Sequence, residues 1–151
     1  MIYIGSDQVG YALKQVIKVL LEEQGYKFVD LGVFKIEEVA DYPDIAREVA
    51  EKVAENGESE AAMGILIDQS GIGMMMAANH VGGVRATVVA NSVMAELARK
   101  STDANVICLG TQVVDEPTAK EAVLTFLNTE FACDPNDQRC IAKMTNISNG
   151  K

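Results

Sequence analysis

The stretch Met63-Gly-Ile-Leu-Ile-Asp68, continued by Gln69-Ser-Gly-Ile-Gly-Met74, decides the reading of this chain. An apolar run that closes on a carboxylate and two glycines reads as a buried strand entering a glycine loop. Met74–Asn79 then reads as a short helix opening straight out of that loop. Backbone N–H groups at such a strand end point at whatever is bound, which favours an anion or a developing oxyanion.

The same alternation extends to both sides. Ile2–Gly5 reads as a first strand, and Leu13, Val16, Ile17 and Leu20 recur at helical spacing until Gly25 stops them. Lys27–Leu31 reads as a second strand. Pro43 opens a helix with Ile45, Ala46, Val49, Ala50 and Val53 on its inner face, ended by Asn56-Gly57. The third strand is Ala62–Asp68. Arg85–Ala90 reads as a fourth strand, Ser92–Lys100 as a helix capped by Asn91 or Ser92, and Asn105–Gly110 as a fifth strand. Pro117–Asn128 is a closing helix. Strands this uniformly rich in Ile, Val and Leu, separated by helices, belong to a parallel sheet covered on both faces. The expectation is one doubly wound, Rossmann-like α/β domain over residues 1–151, whose ligands sit beyond the carboxyl ends of its strands. The polar tail from residue 133 to 151 is expected to pack on a neighbouring subunit or to fray.

Bulk composition narrows the class. A chain of 151 residues, 48% hydrophobic and 23% charged, fits one globular domain. Its net charge of −9 argues against non-specific nucleic-acid binding, which needs clustered Lys and Arg. No apolar run approaches the roughly 20 residues needed to cross a bilayer. Met1-Ile-Tyr-Ile4 is strand-like with no charged leader, and the three cysteines lack metal-ligand spacing, so a cytoplasmic, reducing location is expected.

Two carboxylates, Asp7 and Asp68, follow the first and third strands, and such a pair suits acid–base work on a sugar. Each also has a plain reading as a helix cap; beside Ser70, Gly71, Ile72 and Gly73, the functional reading of Asp68 is preferred. The loop Gly71-Ile-Gly73 is too short for the Rossmann fingerprint or the Walker loop, so no dinucleotide or ATP is inferred, nor any other cofactor or metal. His80, the only histidine, has no triad or metal partner near it in sequence. Arg139 is either a solvated charge or the cation that meets a phosphate.

Several motifs, in order along nearly the whole chain, resemble the family of type B ribose-5-phosphate isomerases and galactose-6-phosphate isomerase subunits. They are Ile4-Gly-Ser-Asp7, Gly10, Leu13-Lys14, Asp41-Tyr-Pro43, Gly64-Ile-Leu-Ile67, Gly71-Ile-Gly73, Ala77-Ala-Asn79, Gly83-Val-Arg-Ala86, Ala98-Arg99, Asp103-Ala-Asn105 and Phe126-Leu-Asn-Thr-Glu-Phe131. The resemblance implies a five-stranded parallel sheet, no metal, and a homodimer or dimer of dimers with active sites shared between subunits. It also implies aldose–ketose interconversion of a sugar phosphate through an enediolate.

The positions that match the family's catalytic set have changed. Asp68 stands for the cysteine base, Ser70 for a threonine, and Asp7-Gln8 for an Asp-His pair. Ser101-Thr102 stands for the His-Asn pair that assists ring opening. Cys133-Asp-Pro-Asn136 stands for a Gly-Gly-Arg-His run, leaving Arg139 as the remaining arginine. By this match Asp68, Ser70 and Ser101 are the catalytic candidates. Asp7, Gln8, Gln69, Gly71, Ile72, Gly73, Thr102 and Arg139 are the substrate-binding ones, with the loop N–H groups of Gly71–Gly73 as oxyanion donors. A tetrulose phosphate cannot close a ring through its phosphorylated oxygen, so Ser101 suits a short open-chain substrate. Family members thought to act on four-carbon sugar phosphates resemble this chain in the Ala98–Ser101 run. The galactose-6-phosphate isomerase subunit without the cysteine also resembles it in having Asp there, which keeps open a second role as one half of a hetero-oligomer.

Overall fold

A computed structural model describes residues 1–56 and 61–148. Five strands, β1 (Ile2–Ser6), β2 (Phe28–Gly32), β3 (Met63–Asp68), β4 (Ala86–Val88) and β5 (Val106–Gly110), form one sheet in the order β2-β1-β3-β5-β4. Every pairing is parallel. Six helices connect or follow them: α1 (Tyr11–Glu23), α2 (Tyr42–Asn56), α3 (Ile72–Ala78), α4 (Ser92–Thr102), α5 (Glu116–Asn128) and α6 (Pro135–Ser148).

Strand residues alternate between two cores, one on each face. Ile2, Ile4, Ile65, Ile67, Ile107 and Leu109 meet α1, α4 and α5 through Ile17, Leu21, Ala95, Ala98, Val123 and Phe126. Tyr3, Leu66, Val106 and Cys108 meet α2 and α3 through Ile45, Val49, Val53 and Met74. The doubly wound α/β expectation therefore holds, and so does the inner face read for α2, whose five residues are all buried. The Gly57 end of that helix lies outside the described residues.

Boundaries moved where local chemistry outweighs periodicity. β4 shrinks to Ala86–Val88 because it is an edge strand with a single partner, β5. α4 runs two residues beyond Lys100, to Thr102, and stops at Asp103, which adopts the left-handed conformation at φ 47°. Its start is capped by Asn91, whose side chain accepts the Met94 N–H. α3 begins at Ile72, two residues before Met74, because Gly71 at φ 77° makes the entry turn. In the tail, residues 135–148 form α6 after an Asp134 side chain that accepts the Asn136 N–H. No helix among the described residues is long and apolar enough to cross a membrane.

Lys14 is fully buried on α1. Its ammonium donates to the carbonyls of Leu31 (3.0 Å) and Val33 (2.6 Å) and pairs with Asp30 at 2.6 Å. Two carbonyl hydrogen bonds and one ion pair make its burial tolerable, and they fasten the end of β2 to α1.

Candidate active site

The carboxyl ends of β1, β3 and β5 converge on one place. Ser6 is in register with Ile67, so the next residues, Asp7 and Asp68, stand side by side on neighbouring strands, which run roughly 5 Å apart. Gly5 pairs with Leu66, and Tyr3 and Leu66 both enter the core under α2 and α3, so alternation sends Asp7 and Asp68 to that same face. Asp68 is also in register with Gly110 of β5.

The two aspartates sit in duplicate loops, Asp7-Gln-Val-Gly10 and Asp68-Gln-Ser-Gly71. In the first, Oδ1 accepts the N–H groups of Val9 (3.0 Å) and Gly10 (2.9 Å). In the second, Oδ1 accepts those of Ser70 (3.0 Å) and Gly71. Both side chains are nearly enclosed, at 8% and 5% exposure. Neither has a cationic partner within 4 Å among the described residues. Burial raises the carboxyl pKa of Asp7; the Gly10 N–H opposes this, and the neighbouring Asp68 charge adds to it. Burial and the same charge push the Cys108 thiol up, so that buried cysteine is not a thiolate. The duplicated Asp-Gln-x-Gly motif is a signal that a separate reading of each loop misses.

Glycines let these loops close in. A Cβ on Gly10 would stand 2.1 Å from the Ile67 carbonyl oxygen, and one on Gly110 would stand 2.5 Å from the Ser70 backbone. The expectation that Gly71 supplies an oxyanion N–H needs correction, since that N–H donates to Asp68 instead. The Ile72 N–H is turned to the Ser70 hydroxyl oxygen at 3.2 Å. Gly73 and Met74 carry the loop N–H groups with no acceptor among the described residues, and these are the available donors. Gln69 is exposed, and its carbonyl accepts the Gln112 N–H at 3.0 Å. Gln8 accepts the Ala40 N–H at 3.2 Å through Oε1, which orients its amide so that the NH2 group remains as a donor. Tyr42 closes one side; a Cβ on Gly73 would meet its ring at 2.6 Å. Tyr42 was legible only as part of the Asp41-Tyr-Pro43 motif, and its contact with Gly73 has no signature in spacing.

Ser101, Thr102 and Arg139 lie elsewhere. Ser101 and Thr102 end α4 just before β5 begins, whereas Asp68 is level with the last residue of β5. That is about 13 Å along the strand, so one chain does not bring them to Asp68. Thr102 donates to the Ala98 carbonyl at 2.7 Å and lines a cleft of about 390 Å³ with Arg85, Thr87, Met144 and Thr145. Arg139 is exposed on α6, the helix that packs on α4. His80 is exposed beside Asp44 and Arg47. No cluster of three or more His, Cys, Asp or Glu able to hold a metal occurs among the described residues.

A buried carboxylate beside free N–H donors, at the carboxyl edge of a doubly wound sheet, is the equipment of a proton-transfer enzyme working on an anionic substrate. The family model described as Ribose/Galactose Isomerase matches residues 2–144. The chain belongs to that family and so to the aldose–ketose isomerases, which are intramolecular oxidoreductases. It is 40% identical to ribose-5-P isomerase B of Listeria innocua over 131 residues, 87% of this chain and 86% of the relative. Against ribose-5-phosphate isomerase B of Escherichia coli the identity is 38%, covering 91% and 90% of the two chains. Among solved structures, the Clostridium thermocellum ribose-5-phosphate isomerase B superposes with a TM-score of 0.91 at 40% identity, over 99% of this chain and 97% of that one. The Mycoplasma genitalium ribose-5-phosphate isomerase B with bound ribulose-5-phosphate gives 0.92 at 37% identity, with the same coverage.

Proposed function

We propose that this chain is a cofactor-free sugar-phosphate isomerase in which Asp68 is the base that moves a proton between the two carbons of an enediolate. The observation that carries the reading is the Asp68 carboxylate, held at the end of β3 by the Ser70 and Gly71 N–H groups and flanked by the unbonded N–H groups of Gly73 and Met74. The free oxygen of Asp68 takes the carbon-bound proton while those two donors stabilise the oxyanion. Ser70 supplies a hydroxyl, and Asp7 and the Gln8 amide hold the substrate's hydroxyl groups.

Placement of Ser101, Thr102 and Arg139 away from Asp68 in one chain supports a site completed by a second copy, in a homodimer or dimer of dimers. The phosphate then meets Arg139 of that second copy. Ring opening requires one proton taken from the anomeric hydroxyl and another returned to the ring oxygen, and Ser101 is a weak acid and base for both. An open-chain four-carbon phosphate skips that step, so tetrose or tetrulose phosphates are the favoured substrates and pentose phosphates come next. The test is kcat/KM for erythrose 4-phosphate, ribose 5-phosphate and galactose 6-phosphate in one buffer. The value is expected to be highest for the four-carbon sugar. A preference for ribose 5-phosphate overturns the substrate assignment. Turnover that appears only on adding a paralogous subunit would favour the hetero-oligomer reading.

A further inference from the structure

We propose that Asp7 and Asp68 hold one proton between them and act as a two-carboxylate pair, Asp68 moving the proton on carbon and Asp7 the proton on oxygen. This rests on the isomerase reading above and extends it to a second catalytic residue. The geometry is that of a matched pair. The two side chains leave adjacent strands at the same level and on the same face. Each lies in an Asp-Gln-x-Gly loop that spends Oδ1 on two backbone N–H groups and leaves Oδ2 for the substrate. Both are nearly enclosed, and among the described residues no Lys or Arg neutralises either. Two like charges in one enclosed site do not both ionise readily, so a proton stays with the pair.

Of the two, Asp7 is the one whose burial and whose neighbouring Asp68 charge raise its carboxyl above the ordinary range, so on this proposal the shared proton sits there in the resting state. With an aldose bound, the Asp68 carboxylate removes the proton on C2, and that electron pair forms the C1–C2 double bond. The carbonyl π electrons move to O1, which takes the proton of the Asp7 carboxylic acid. The enediol then gives its O2 proton back to Asp7, C2=O forms, and C1 receives the proton held by Asp68. Both residues return to their starting states, and no outside acid or base is consumed.

Two measurements test this. The first is infrared spectroscopy of protein with carboxyl-labelled aspartate, without substrate. A protonated carboxyl band at neutral pH, lost in Asp7→Asn and in Asp68→Asn, is the expected result. Absence of the band from the wild type overturns the shared proton whatever the enzyme acts on. The second is turnover of erythrose 4-phosphate, ribose 5-phosphate and galactose 6-phosphate in deuterated water, comparing product formation with deuterium uptake into recovered substrate. Asp7→Asn keeps the Oδ1 acceptor of its loop, so it should lower product formation at least tenfold more than carbon exchange. Equal losses in both, or none, would reduce Asp7 to a positioning role and overturn the assignment. A wild type that exchanges none of the three sugars refutes the isomerase reading and leaves the infrared result to judge the shared proton.

Discussion

The two ends of the parallel sheet handle charge in opposite ways. At the amino end, Asp103 sits between two guanidinium groups, paired with Arg85 and with Arg99 at 2.8 Å each. Arg85 also donates to the Asp103 carbonyl, Arg99 to the Ala104 carbonyl, and Asn105 bonds Gly83 and the Arg85 N–H. At the carboxyl end, Asp7 and Asp68 are more deeply buried than Asp103 and yet have no cation beside them among the described residues. Residues of one type are thus ties at one end and, on the reading proposed above, reagents at the other. A carboxylate neutralised by two arginines is a poor base, whereas one held by backbone N–H groups beside a like charge keeps a reactive oxygen.

Substitutions at the two ends should therefore fail in different ways. The largest effect is expected for Asp68→Asn, which preserves shape and the loop bonds but removes the base. Its kcat should fall by at least about 100-fold while the unfolding midpoint hardly moves. A large loss of stability alongside the loss of activity would show that Asp68 is a tie after all. Next comes Asp103→Ala, which strands two partly buried arginines and places Ala at a positive φ. Denaturant unfolding should register a loss of about 2 kcal/mol. A change within error would mean that the amino-end network is solvent-screened and contributes little.

Gly73→Ala is a smaller and sharper probe. The added methyl meets the Tyr42 ring, which is 43% exposed and free to swing away, so the fold should tolerate it. Moving that wall and the adjacent donor should lower kcat/KM by roughly tenfold without a shift in melting temperature. The smallest effect is a pH dependence. Because the folded-state pKa of Asp7 lies above its ordinary value of 3.8, the native protein keeps this proton where the unfolded chain has lost it. The resulting stability is complete below the unfolded value and is lost as pH rises through the folded one. The groups that face Asp7 there are the Val9 and Gly10 N–H groups and the Asp68 carboxylate. Asp7→Asn should therefore gain stability on the wild type as pH rises above about 4, measured by paired denaturant titrations up to neutral pH. A constant difference across that range would assign the shift to some other group.

Much of this contrast is legible in the sequence. Short, unalternating apolar runs gave the strands in chain order, as strands buried on both faces do, and the 3.6-residue repeat gave the whole inner face of α2. The same runs placed Asp7 and Asp68 at strand ends. Their adjacency is fixed by the β1–β3 pairing, because strand order depends on crossovers that leave no mark on spacing. α6 went unread since its apolar residues Ile141, Met144 and Ile147 are diluted among polar ones, although Asp134-Pro135 is a sound start signal. Lys14 is legible only through the Leu13-Lys14 motif; the carbonyls at the end of β2 reveal why it turns inward. The Gly71 N–H is committed to Asp68 by the same Asp-Gln-x-Gly turn that commits the Gly10 N–H to Asp7, a parallel that shows only when the two loops are read together.

The buried ammonium of Lys14 has a consequence for how the molecule opens. An amine held by two carbonyls and a carboxylate, with no exposed surface, is invisible to acylating reagents and to trypsin while α1 stays seated on β2. Its labelling rate therefore counts the excursions in which that helix lifts away. Lys18, one turn along and partly exposed, shares Asp30 and offers an internal reference in the same peptide. The ratio of the two rates is a clock for partial unfolding at the edge of the sheet, read from a single residue that the fold itself has hidden.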